Sequence, residues 1–370
     1  MNERILISGA SIAGLTLAHW LARRGFRPTV VERAPGLRTG GNGVDVRDDA
    51  VAVVEGMGIM PQVRALATDV HGMKFVDAAD RAVARIDIRD PGSVEIMRGD
   101  LVTLLRGVTD VEILFGDAVR GLEQDERGVT VAFRHAPARR FDLVVGADGM
   151  HSGLRRLVFG PEERFVRHKD HYFAFADAGS ALGEDRWMTM FNTPGKMAGI
   201  YRSGNHPQAK AYFIFRSAPL DYDHRDVAAH KRLISDAFAE RTAWRTGDLL
   251  DAALADPEFY FDALAQVRMD SWSAGRVALV GDAAWCASPA SGAGAELALV
   301  GAYRLAGELA AAGGDHRLAF PRYDAAHRPL VGRKQRIGLN VRLMVPRTEG
   351  GRCVRDALAR LPLMKMRGAA

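Results

Sequence analysis

The amino-acid sequence predicts an α/β fold with more than one domain, on three observations. The chain has 370 residues, which is long for a single hydrophobic core and suggests about two domains. Residues 4–33, and again the segment from residue 275 onwards, combine an apolar run, a glycine-containing turn and a helix with apolar periodicity, the pattern of a parallel sheet. Residues 161–267 instead show short strand-like patches separated by turns, which indicates an antiparallel sheet.

The N-terminal segment is predicted to be a βαβ unit. Residues 5–7 are apolar enough for a buried strand, and the turn Gly9-Ala10-Ser11-Ile12-Ala13-Gly14 leads into a helix that Gly25 is placed to end. A second strand over residues 29–31 closes on Glu32. In a Rossmann-like unit of this kind the unpaired N–H groups of the helix receive a pyrophosphate, and the acid accepts hydrogen bonds from a ribose. The segment therefore predicts dinucleotide binding.

Ser11 departs from the usual G-x-G-x-x-G pattern of such turns. The middle glycine lets the backbone approach the phosphates, so a serine adds a Cβ where space is short, although its hydroxyl could bond a phosphate oxygen. A structural turn of any doubly wound sheet is the alternative explanation. The motif by itself does not choose between NAD and FAD.

The next stretch mixes loops, helices and strands. A glycine-rich loop over residues 36–43 is followed by Asp45 and Arg47, and a helix is predicted from about Asp49 to Glu55. Residues 70–97 alternate apolar and polar side chains as antiparallel strands do, with a turn at 77–80.

Residues 98–160 return to the mixed pattern. A helix is predicted to begin at Arg98, and strands at 111–115, 119–122 and 129–133. A short apolar run over 141–145 ends in Gly146-Ala147-Asp148-Gly149.

The antiparallel region is rich in aromatic and methionine side chains and is predicted to offer one apolar face. A helix is predicted within it over about residues 230–239. Several side chains are candidates for lining a substrate cavity, and are equally well explained as sheet core: Phe175, Met188, Met190, Phe213 and Phe215.

A third glycine-containing segment follows a buried strand over residues 277–280. It begins with Gly281 and Asp282 and leads through a loop into a long helix near Gly292 and Gly294. In an open α/β sheet, ligands bind beyond the carboxyl ends of the strands, so all three glycine segments would meet there if their strands are parallel neighbours. Asp282 could then bond a polyol, and the N–H groups at Gly292 and Gly294 could face a negatively charged ring edge. Three independent structural turns are the less favoured explanation.

Composition excludes several classes of protein. Hydrophobic residues make up 48% and charged residues 26% of the chain, as in ordinary globular proteins, and no apolar run is long enough to cross a bilayer. Cys286 and Cys353 lack metal-ligand spacing and cannot form a disulfide framework, and no signal peptide is visible. A cytoplasmic protein without a bound metal is therefore expected.

The net charge of +5 is unevenly distributed. From Arg322 to the end, twelve Lys and Arg oppose three Asp and Glu, which gives +9 and leaves −4 for the preceding residues. A basic tail can attract nucleic acid or anionic lipid, but no nucleic-acid-reading module accompanies it. Apolar side chains in this tail favour helices that dock on the body of the protein: Leu339, Val341, Leu343, Met344, Val345, Val354, Leu358 and Leu361.

Together, these motifs resemble the class A FAD-dependent monooxygenases of the p-hydroxybenzoate hydroxylase fold. The resemblance rests on the order of GASIAG with Glu32, GADG with Ser152 and Arg155, and GDAAWCASPASGAG. The segments GGNGVDVR and VEIMRGDLVTLL are most similar to the branch that contains the tetracycline-inactivating monooxygenases and the tailoring hydroxylases of polyketide pathways. The motifs span residues 4 to about 302, whereas the substrate region carries little recognisable signature.

The resemblance implies an interleaved domain organisation. The FAD-binding domain would comprise residues 1–69, 98–160 and 268–315. The antiparallel-sheet substrate domain would comprise residues 70–97 and 161–267, and the C-terminal helices residues 316–370.

The resemblance also implies roles for single residues. Glu32 would bind the adenosine ribose, with Arg33 near the adenine. Arg98 and Asp45 would contact the flavin cofactor, and Asp282 its ribityl or pyrophosphate portion. The glycine segments supply the further implied FAD contacts, which are Gly9, Ser11, Ile12, Ala13 and Gly14 in the first and Pro289, Gly292, Ala293, Gly294 and Ala295 beside the isoalloxazine ring.

Three less specific assignments complete the implied cofactor site. Asp148 belongs to a fingerprint linked to both FAD and NAD(P)H. Arg47 would line the flavin channel, and Arg38 is a candidate for the NAD(P)H phosphate. For each arginine a surface ion pair is the alternative.

Three positions depart from the family pattern. Trp285 and Gly301 stand where histidine and aspartate are frequent, and Glu296 stands where asparagine is frequent. An acid at Glu296 would lie near the flavin and disfavour its anionic reduced form by like-charge repulsion.

The implied activity is monooxygenation of an aromatic or polycyclic, polyketide-like small molecule. NADPH or NADH would reduce FAD, O₂ would add at flavin C4a, and the hydroperoxide would deliver one oxygen atom. The protein would bury that hydroperoxide beside an electron-rich carbon, so no catalytic acid or base is assigned. The sequence leaves a monomer and a homodimer both open.

The motifs also leave alternative functions and sites to consider. One alternative is an FAD oxidase or dehydrogenase on the same scaffold, and another is a non-redox cyclase or binding protein with FAD as a structural prop. A plain NAD-dependent dehydrogenase would not explain residues 281–294. His168 and His171 are spaced like metal ligands but lack a third, and Ser152 next to His151 is better explained as a helix cap than as a nucleophile.

Overall fold

A six-stranded sheet forms the centre of the larger half of the molecule. The computed structural model describes residues 3–38, 40–87, 92–179, 182–240, 243–337 and 343–360. With strands numbered in chain order, the sheet consists, from edge to edge, of β17 (Ser273–Ala274), β18 (Val277–Leu279), β11 (Leu143–Gly146), β1 (Arg4–Ser8), β2 (Arg27–Glu32) and β7 (Glu112–Phe115). All neighbours are parallel except β17 and β18. The predicted βαβ unit is confirmed.

Helices accompany this sheet, and its strands and helices share one continuous apolar core. The helices of this half are α1 (Ile12–Arg23), α2 (Asp49–Gly56), α3 (Met60–Ala65), α4 (Arg98–Gly107), α5 (Gly153–Phe159), α8 (Asp282–Trp285), α9 (Gly294–Ala311) and α10 (His316–Lys334). Gly25, just beyond α1, has a φ of +84°, as expected of a glycine that ends a helix.

A seven-stranded sheet forms the centre of the other half. From edge to edge it consists of β16 (Tyr260–Val267), β12 (Val166–Asp177), β15 (Lys210–Arg216), β14 (Lys196–Arg202), β13 (Trp187–Thr193), β4 (Gly72–Val76) and β5 (Ala82–Asp87). Only the β13–β4 pair is parallel among these described strands. The turn predicted at residues 77–80 joins β4 and β5, and the predicted helix at 230–239 corresponds to α6 (Val227–Ala237), which packs on this sheet with α7 (Thr246–Ala255).

Two smaller sheets complete the strands. One contains β8 (Val119–Asp125), β9 (Gly128–Phe133) and β10 (Arg139–Phe141), and the other pairs β3 (Gly43–Val46) with β6 (Val94–Met97). β6 therefore leaves the antiparallel group with which its sequence pattern had placed it, because it pairs with the glycine-rich loop region instead.

The prediction of a single apolar face on the antiparallel sheet is wrong. Along β12, Tyr172 and Ala174 belong to the core shared with α6 and α7, whereas Phe173 and Phe175 lie in a separate cluster on the opposite face. Side chains of a strand alternate between faces, and here both faces are buried.

The C-terminal segment docks in part. Val345 is fully buried, and Met344 packs beside it. α11 (Glu349–Ala359) contacts β5 and buries Ala359, so the prediction that this helix docks is confirmed. Val354 and Leu358, however, are 58% and 40% exposed and do not form its docking face. The helix turns Arg355 inward instead, over the ring of Phe75. The remaining residues of that prediction are Leu343, which is half-buried, and Leu339, Val341 and Leu361, which lie outside the described residues.

Within the described residues, no helix combines the length and hydrophobicity that crossing a lipid bilayer requires.

Candidate functional site

The three glycine-containing segments meet at one edge of the six-stranded sheet. Ser8 pairs with Gly146, and Gly146 pairs with Leu279, so β1, β11 and β18 end side by side. The Ala147 N–H donates to the Ser8 carbonyl oxygen at 2.7 Å, and the Val280 N–H donates to the Gly146 carbonyl oxygen at 2.8 Å. The expectation that these strands are parallel neighbours is confirmed.

The first turn leaves no room for side chains at its outer glycines. A Cβ on Gly14 would lie 1.9 Å from the Gly9 carbonyl oxygen, and a Cβ on Gly9, whose φ is +110°, would lie 2.4 Å from the Ala147 carbonyl oxygen. α1 therefore starts in contact with both the turn and the segment after β11. The N–H groups of its first turn are the donors that an anion would meet here.

Ser11 has a protein partner of its own. Its Oγ accepts a hydrogen bond of 2.8 Å from Arg98 Nη2. Arg98 is held from the other side by the glycine-rich loop, since its N–H donates to the Asn42 carbonyl oxygen at 3.0 Å. The serine that departs from the usual pattern thus fixes a guanidinium at the N-terminus of α1, a contact between distant segments that no local pattern revealed.

Glu32 ends β2 and points back toward the first turn. Its Oε2 accepts from the Ala10 N–H at 2.9 Å and its Oε1 from the Ala34 N–H at 2.8 Å. Because a carboxylate oxygen has two lone pairs, each oxygen keeps one acceptor position for a ligand hydroxyl. Arg33 and Arg38 follow and are exposed.

Asp282 begins α8 and is surrounded by protein, yet its side chain is exposed to open space. Burial raises the pKa of Asp282, while the Cys286 thiol and the Arg98 guanidinium oppose that shift. An exposed carboxyl group at the end of a parallel strand suits a ligand with hydroxyl donors.

β3 brings Asp45 and Arg47 to the loop that precedes α9. A Cβ built on Gly292 would lie 3.9 Å from both Asp45 Oδ2 and Arg47 Nη2. Pro289 starts the short turn at 289–291, and Gly292 follows it with a left-handed φ of +60°. The structure thus brings the predicted residues of this segment, including Ala293, Gly294 and Ala295, together with Asp45 of β3 and Arg47, which follows the strand.

Glu296, in the first turn of α9, is paired with two cations. Arg47 Nε donates to its Oε2 at 3.1 Å, and Lys334 Nζ lies 2.9 Å from the same oxygen. Glu296 is fully buried, and Lys334 also lies 3.1 Å from Asp48. The carboxylate is therefore neutralised where the sequence suggested an unbalanced acid. Lys334 was missed because no spacing in the sequence links the end of α10 to the start of α9.

Asp148 is engaged within its own loop. Its Oδ1 accepts from the Ser152 hydroxyl at 2.5 Å and its Oδ2 from the Leu154 N–H at 3.0 Å, and burial raises its pKa. Ser152 Oγ accepts from the Arg155 N–H at 2.9 Å, so the predicted helix cap is confirmed.

Arg155 joins two of the glycine segments. Its side chain is fully buried and donates to the Ala283 carbonyl oxygen at 2.9 Å and to the Met150 carbonyl oxygen at 2.6 Å. The loop after β11 and the start of α8 are thereby held at a fixed separation.

Trp285 and Gly301 form one packing arrangement. A Cβ on Gly301 would lie 2.6 Å from the Trp285 ring and 2.9 Å from His327 Nε2. His327 is fully buried, and burial, followed by the charge of Arg304, lowers its pKa to about 3. The two departures from the family pattern are therefore linked, because the tryptophan ring occupies the space that an aspartate at position 301 would need.

The candidate cavity residues fall on different faces of the seven-stranded sheet. Phe175 lies with Phe173, Tyr260 and Leu264 in a cluster that also contacts Ala290, in the turn before α9. Phe213 and Phe215 pack against α6 and α7 on the opposite face. Met188 and Met190 lie on the same face as Phe175 but farther along the sheet, where they pack near the C-terminal segment. Alternation along β15 places Tyr212 and Ile214 beside Phe175 instead.

The histidines considered as metal ligands bond to the backbone. His168 Nε2 lies 3.0 Å from the Ser217 carbonyl oxygen, and His171 Nδ1 lies 2.7 Å from the Lys169 carbonyl oxygen. Among the described residues, no group of three His, Cys, Asp or Glu side chains is arranged to hold a metal ion.

Comparison with known proteins gives consistent matches. The family model of the FAD binding domain matches residues 3–319. A protein of Mycobacterium tuberculosis is 44% identical over 342 residues, covering 90% of this chain and 92% of the relative. A flavin-dependent monooxygenase of Legionella longbeachae is 38% identical over 344 residues, covering 91% and 88%. The crystal structure of the tetracycline destructase Tet(51) superposes with a TM-score of 0.86 at 34% identity, covering 100% of this chain and 98% of that one.

Proposed function

The chain belongs to the FAD binding domain family of flavin-dependent monooxygenases, and from that premise we propose that it uses NAD(P)H and O₂ to hydroxylate an aromatic or polycyclic small molecule. The observation that carries this proposal is the convergence of three glycine segments at one sheet edge, next to an aromatic surface of the second sheet. The family makes the chain an FAD-dependent enzyme, and the substrate class and the electron donor are the parts that we add.

The residues at the sheet edge fit FAD. Gly9 and Gly14 leave a turn without side-chain bulk, Glu32 keeps acceptor positions for a ligand, and the side chain of Asp282 is exposed. Bound FAD supplies the transfer of electrons from NAD(P)H to oxygen, for which protein side chains have no equivalent.

The chain's own residues would then have distinct tasks. Glu32 would hold the adenosine ribose and the α1 N-terminus the pyrophosphate, with Arg98 beside it. Asp282 would bind the ribityl chain, and residues 292–295 would offer backbone N–H groups to the flavin ring. The aromatic cluster would exclude water from the reacting atoms.

An aromatic substrate is supported by the face of the seven-stranded sheet that meets the turn at 289–291. Phe173, Phe175 and Tyr260 pack together on this face, with ring centroids 4.8 to 6.3 Å apart. Tyr212 extends this group at 5.9 Å from Phe175. Flat aromatic rings of a ligand pack well on such a surface.

NAD(P)H use is supported by exposed arginines near the adenosine end. The charges of Arg225 and Arg38 both act on the guanidinium of Arg33, so the three guanidinium groups lie near one another. Arginine is well suited to phosphate because its planar fork can donate two hydrogen bonds at once. We therefore assign Arg38, with Arg225, to the phosphates of the electron donor.

Labelled oxygen tests the proposal. The purified protein, loaded with FAD, is supplied with NADPH or NADH, ¹⁸O₂ and tetracycline or 1-naphthol as probes. We expect NAD(P)H oxidation that the probe accelerates and a product carrying one ¹⁸O atom. Probe oxidation with all reduced oxygen recovered as peroxide would instead identify an oxidase, and probe conversion without flavin reduction would identify a non-redox role.

A further inference from the structure

Tyr260 lies on the aromatic surface that faces the flavin end of the site. Its ring stacks on that of Phe175, with centroids 4.8 Å apart and planes 18° from parallel, and lies 5.5 Å from the ring of Phe173. Ala290, from the turn before α9, packs on the same cluster. Arg98 and Asp282 are among the charged groups that act on the Tyr260 hydroxyl. Tyr260 is therefore placed to meet a ligand bound between the two sheets.

The hydroxyl of Tyr260 donates to Asp262 Oδ2 at 3.1 Å. The two residues are separated by one position on β16, so both side chains extend from the same face of the strand. Asp262 Oδ1 accepts from the Ala263 N–H at 2.8 Å and lies 3.2 Å from His151 Nε2. An ionised carboxylate can only accept hydrogen bonds, so the proton of Tyr260 is directed at Asp262.

His151 lies between two carboxylates. Its Nδ1 is 2.8 Å from Glu162 Oε1, and its Nε2 is 3.2 Å from Asp262 Oδ1. Burial alone would lower the pKa of His151, but the hydrogen bonds and charges of Asp262 and Glu162 outweigh burial and raise it to about 9. Near neutral pH, His151 is thus an imidazolium that donates from both ring nitrogens.

Other charged groups surround this cluster. The ring of His224 stacks on that of His151 at a centroid distance of 4.3 Å, and its pKa is lowered by burial and then by the charge of His151. Arg155 Nη2 lies 3.5 Å from Glu162 Oε2. Asp223 and Arg225 act on His224 with opposite signs. His151 therefore carries the charge that balances Asp262, and it connects the loop after β11 with β16.

We propose that Tyr260 orients the substrate by accepting a hydrogen bond from a substrate hydroxyl, and that Asp262 and His151 are positioning residues that keep Tyr260 an acceptor. The proposal rests on the proposed function, because it assigns the substrate to the surface beside the flavin. With its proton directed at Asp262, Tyr260 has only oxygen lone pairs to offer a ligand. A phenol or enol satisfies them, whereas the corresponding ether cannot.

A pair of probes that differ only in this donor tests the proposal. The FAD-loaded enzyme is titrated with 1-naphthol and with 1-methoxynaphthalene, and binding is followed by the change in the flavin absorption spectrum. We expect 1-naphthol to bind about tenfold more tightly, the effect of one hydrogen bond of about 1.4 kcal/mol. The labelled-oxygen experiment reports on the proposed function separately. An FAD-loaded enzyme that incorporates no ¹⁸O but still prefers 1-naphthol is therefore distinguishable from an enzyme that binds both probes equally.

Variants assign the preference to a residue. Tyr260→Phe is expected to abolish the preference for 1-naphthol, while Tyr303→Phe, the same change at an exposed tyrosine of α9, leaves it intact. In Asp262→Asn the new amide can donate a hydrogen bond to the Tyr260 oxygen, so this variant is expected to lose the preference for 1-naphthol while it binds 1-methoxynaphthalene as tightly as before. A merely structural defect would weaken the binding of 1-methoxynaphthalene as well. Equal binding of both probes to the unchanged enzyme, binding of neither, or loss of the preference in Tyr212→Phe and not in Tyr260→Phe would overturn the proposal.

Discussion

Replacing Glu296 with glutamine removes the centre of a buried ion-pair network. The carboxylate lies 3.1 Å from Arg47 Nε and 2.9 Å from Lys334 Nζ, and its side chain is 1% exposed. Loss of one partner from a fully buried pair costs about 3 to 5 kcal/mol. Arg47 and Lys334 retain 16% and 21% exposure, and Lys334 keeps Asp48, so we expect about 3 kcal/mol, at the lower end of that range.

Thermal unfolding measures this loss. At about 2.1 cal/mol/K per residue, a chain of 370 residues unfolds with an entropy of about 0.8 kcal/mol/K, so Glu296→Gln should lower Tm by about 4 °C. Glu123→Gln, at an exposed position of β8, is the matched control and should leave Tm within about 1 °C. Combining Glu296→Gln with Lys334→Met should cost less than the sum of the single changes, since both break the same contact.

The same variant has an electrostatic consequence. Removal of the carboxylate leaves Arg47 and Lys334 beside the residues assigned to the flavin ring, so the midpoint potential of bound FAD should become more positive in Glu296→Gln. Additive Tm losses in the combined variant, or an unchanged or more negative potential, would refute the reasoning about this network.

Three further outcomes follow from contacts at the sheet edge. Gly14→Ala should weaken FAD binding at least about tenfold, because the added Cβ would lie 1.9 Å from a carbonyl oxygen. Gly107→Ala, where the added Cβ meets open space, should bind FAD normally. Equal FAD affinities of the two variants in a fluorescence titration would contradict this reasoning. Arg155→Met should cost about 3 kcal/mol in denaturant unfolding, since it removes the donor from the buried Ala283 carbonyl group and the half-buried Met150 carbonyl group. Arg156→Met, at an exposed position, should cost under about 0.5 kcal/mol, and similar losses in the two variants would argue against the contact. Because the pKa of His151 is raised to about 9, its protonation stabilises the fold by about 3 kcal/mol at pH values below its ordinary pKa of 6.5, and this stabilisation should be lost as pH rises through about 9. The unfolding free energy of His151→Gln should lack this pH-dependent loss. Parallel pH profiles of unfolding free energy for the two proteins would show the assignment to be wrong.

The fold was largely predictable because its signals are local. The apolar run at residues 5–7, the glycine turn and the acid at Glu32 each follow from neighbouring residues, and the structure has a βαβ unit there. The convergence of the segments after β1, β11 and β18 was also predictable from the sequence, because the carboxyl ends of parallel strands lie at one edge of a sheet. The proposed division into interleaved domains stays a prediction.

The contacts that set the chemistry of the site depend on residues far apart in the chain. Ser11 is bonded by Arg98, and Glu296 is neutralised by Lys334. No periodicity relates these positions, because α4 and α10 reach them only through tertiary packing. The sequence therefore showed that Ser11 and Glu296 depart from the usual pattern, but it did not show which residues pair with them.

The sequence also did not determine which side chains of a strand face the candidate site. Alternation along β15 separates Phe213 and Phe215 from Tyr212 and Ile214, but it does not say which set meets the first half of the molecule. α6 and α7 cover the phenylalanine set, so the cavity side falls to the tyrosine and isoleucine. In α11, Arg355 is buried against Phe75 and Asn192. Val354 and Leu358 are therefore exposed to solvent although their side chains are hydrophobic.

The visible spectrum of the purified protein tests the central claim most directly, that three distant segments build one FAD site. FAD is added to the flavin-free protein, and NADPH is then added under nitrogen. We predict saturable binding of one FAD per chain, a flavin absorption band, and bleaching of that band by NADPH. A protein that shows no flavin band and does not retain added FAD would contradict the account.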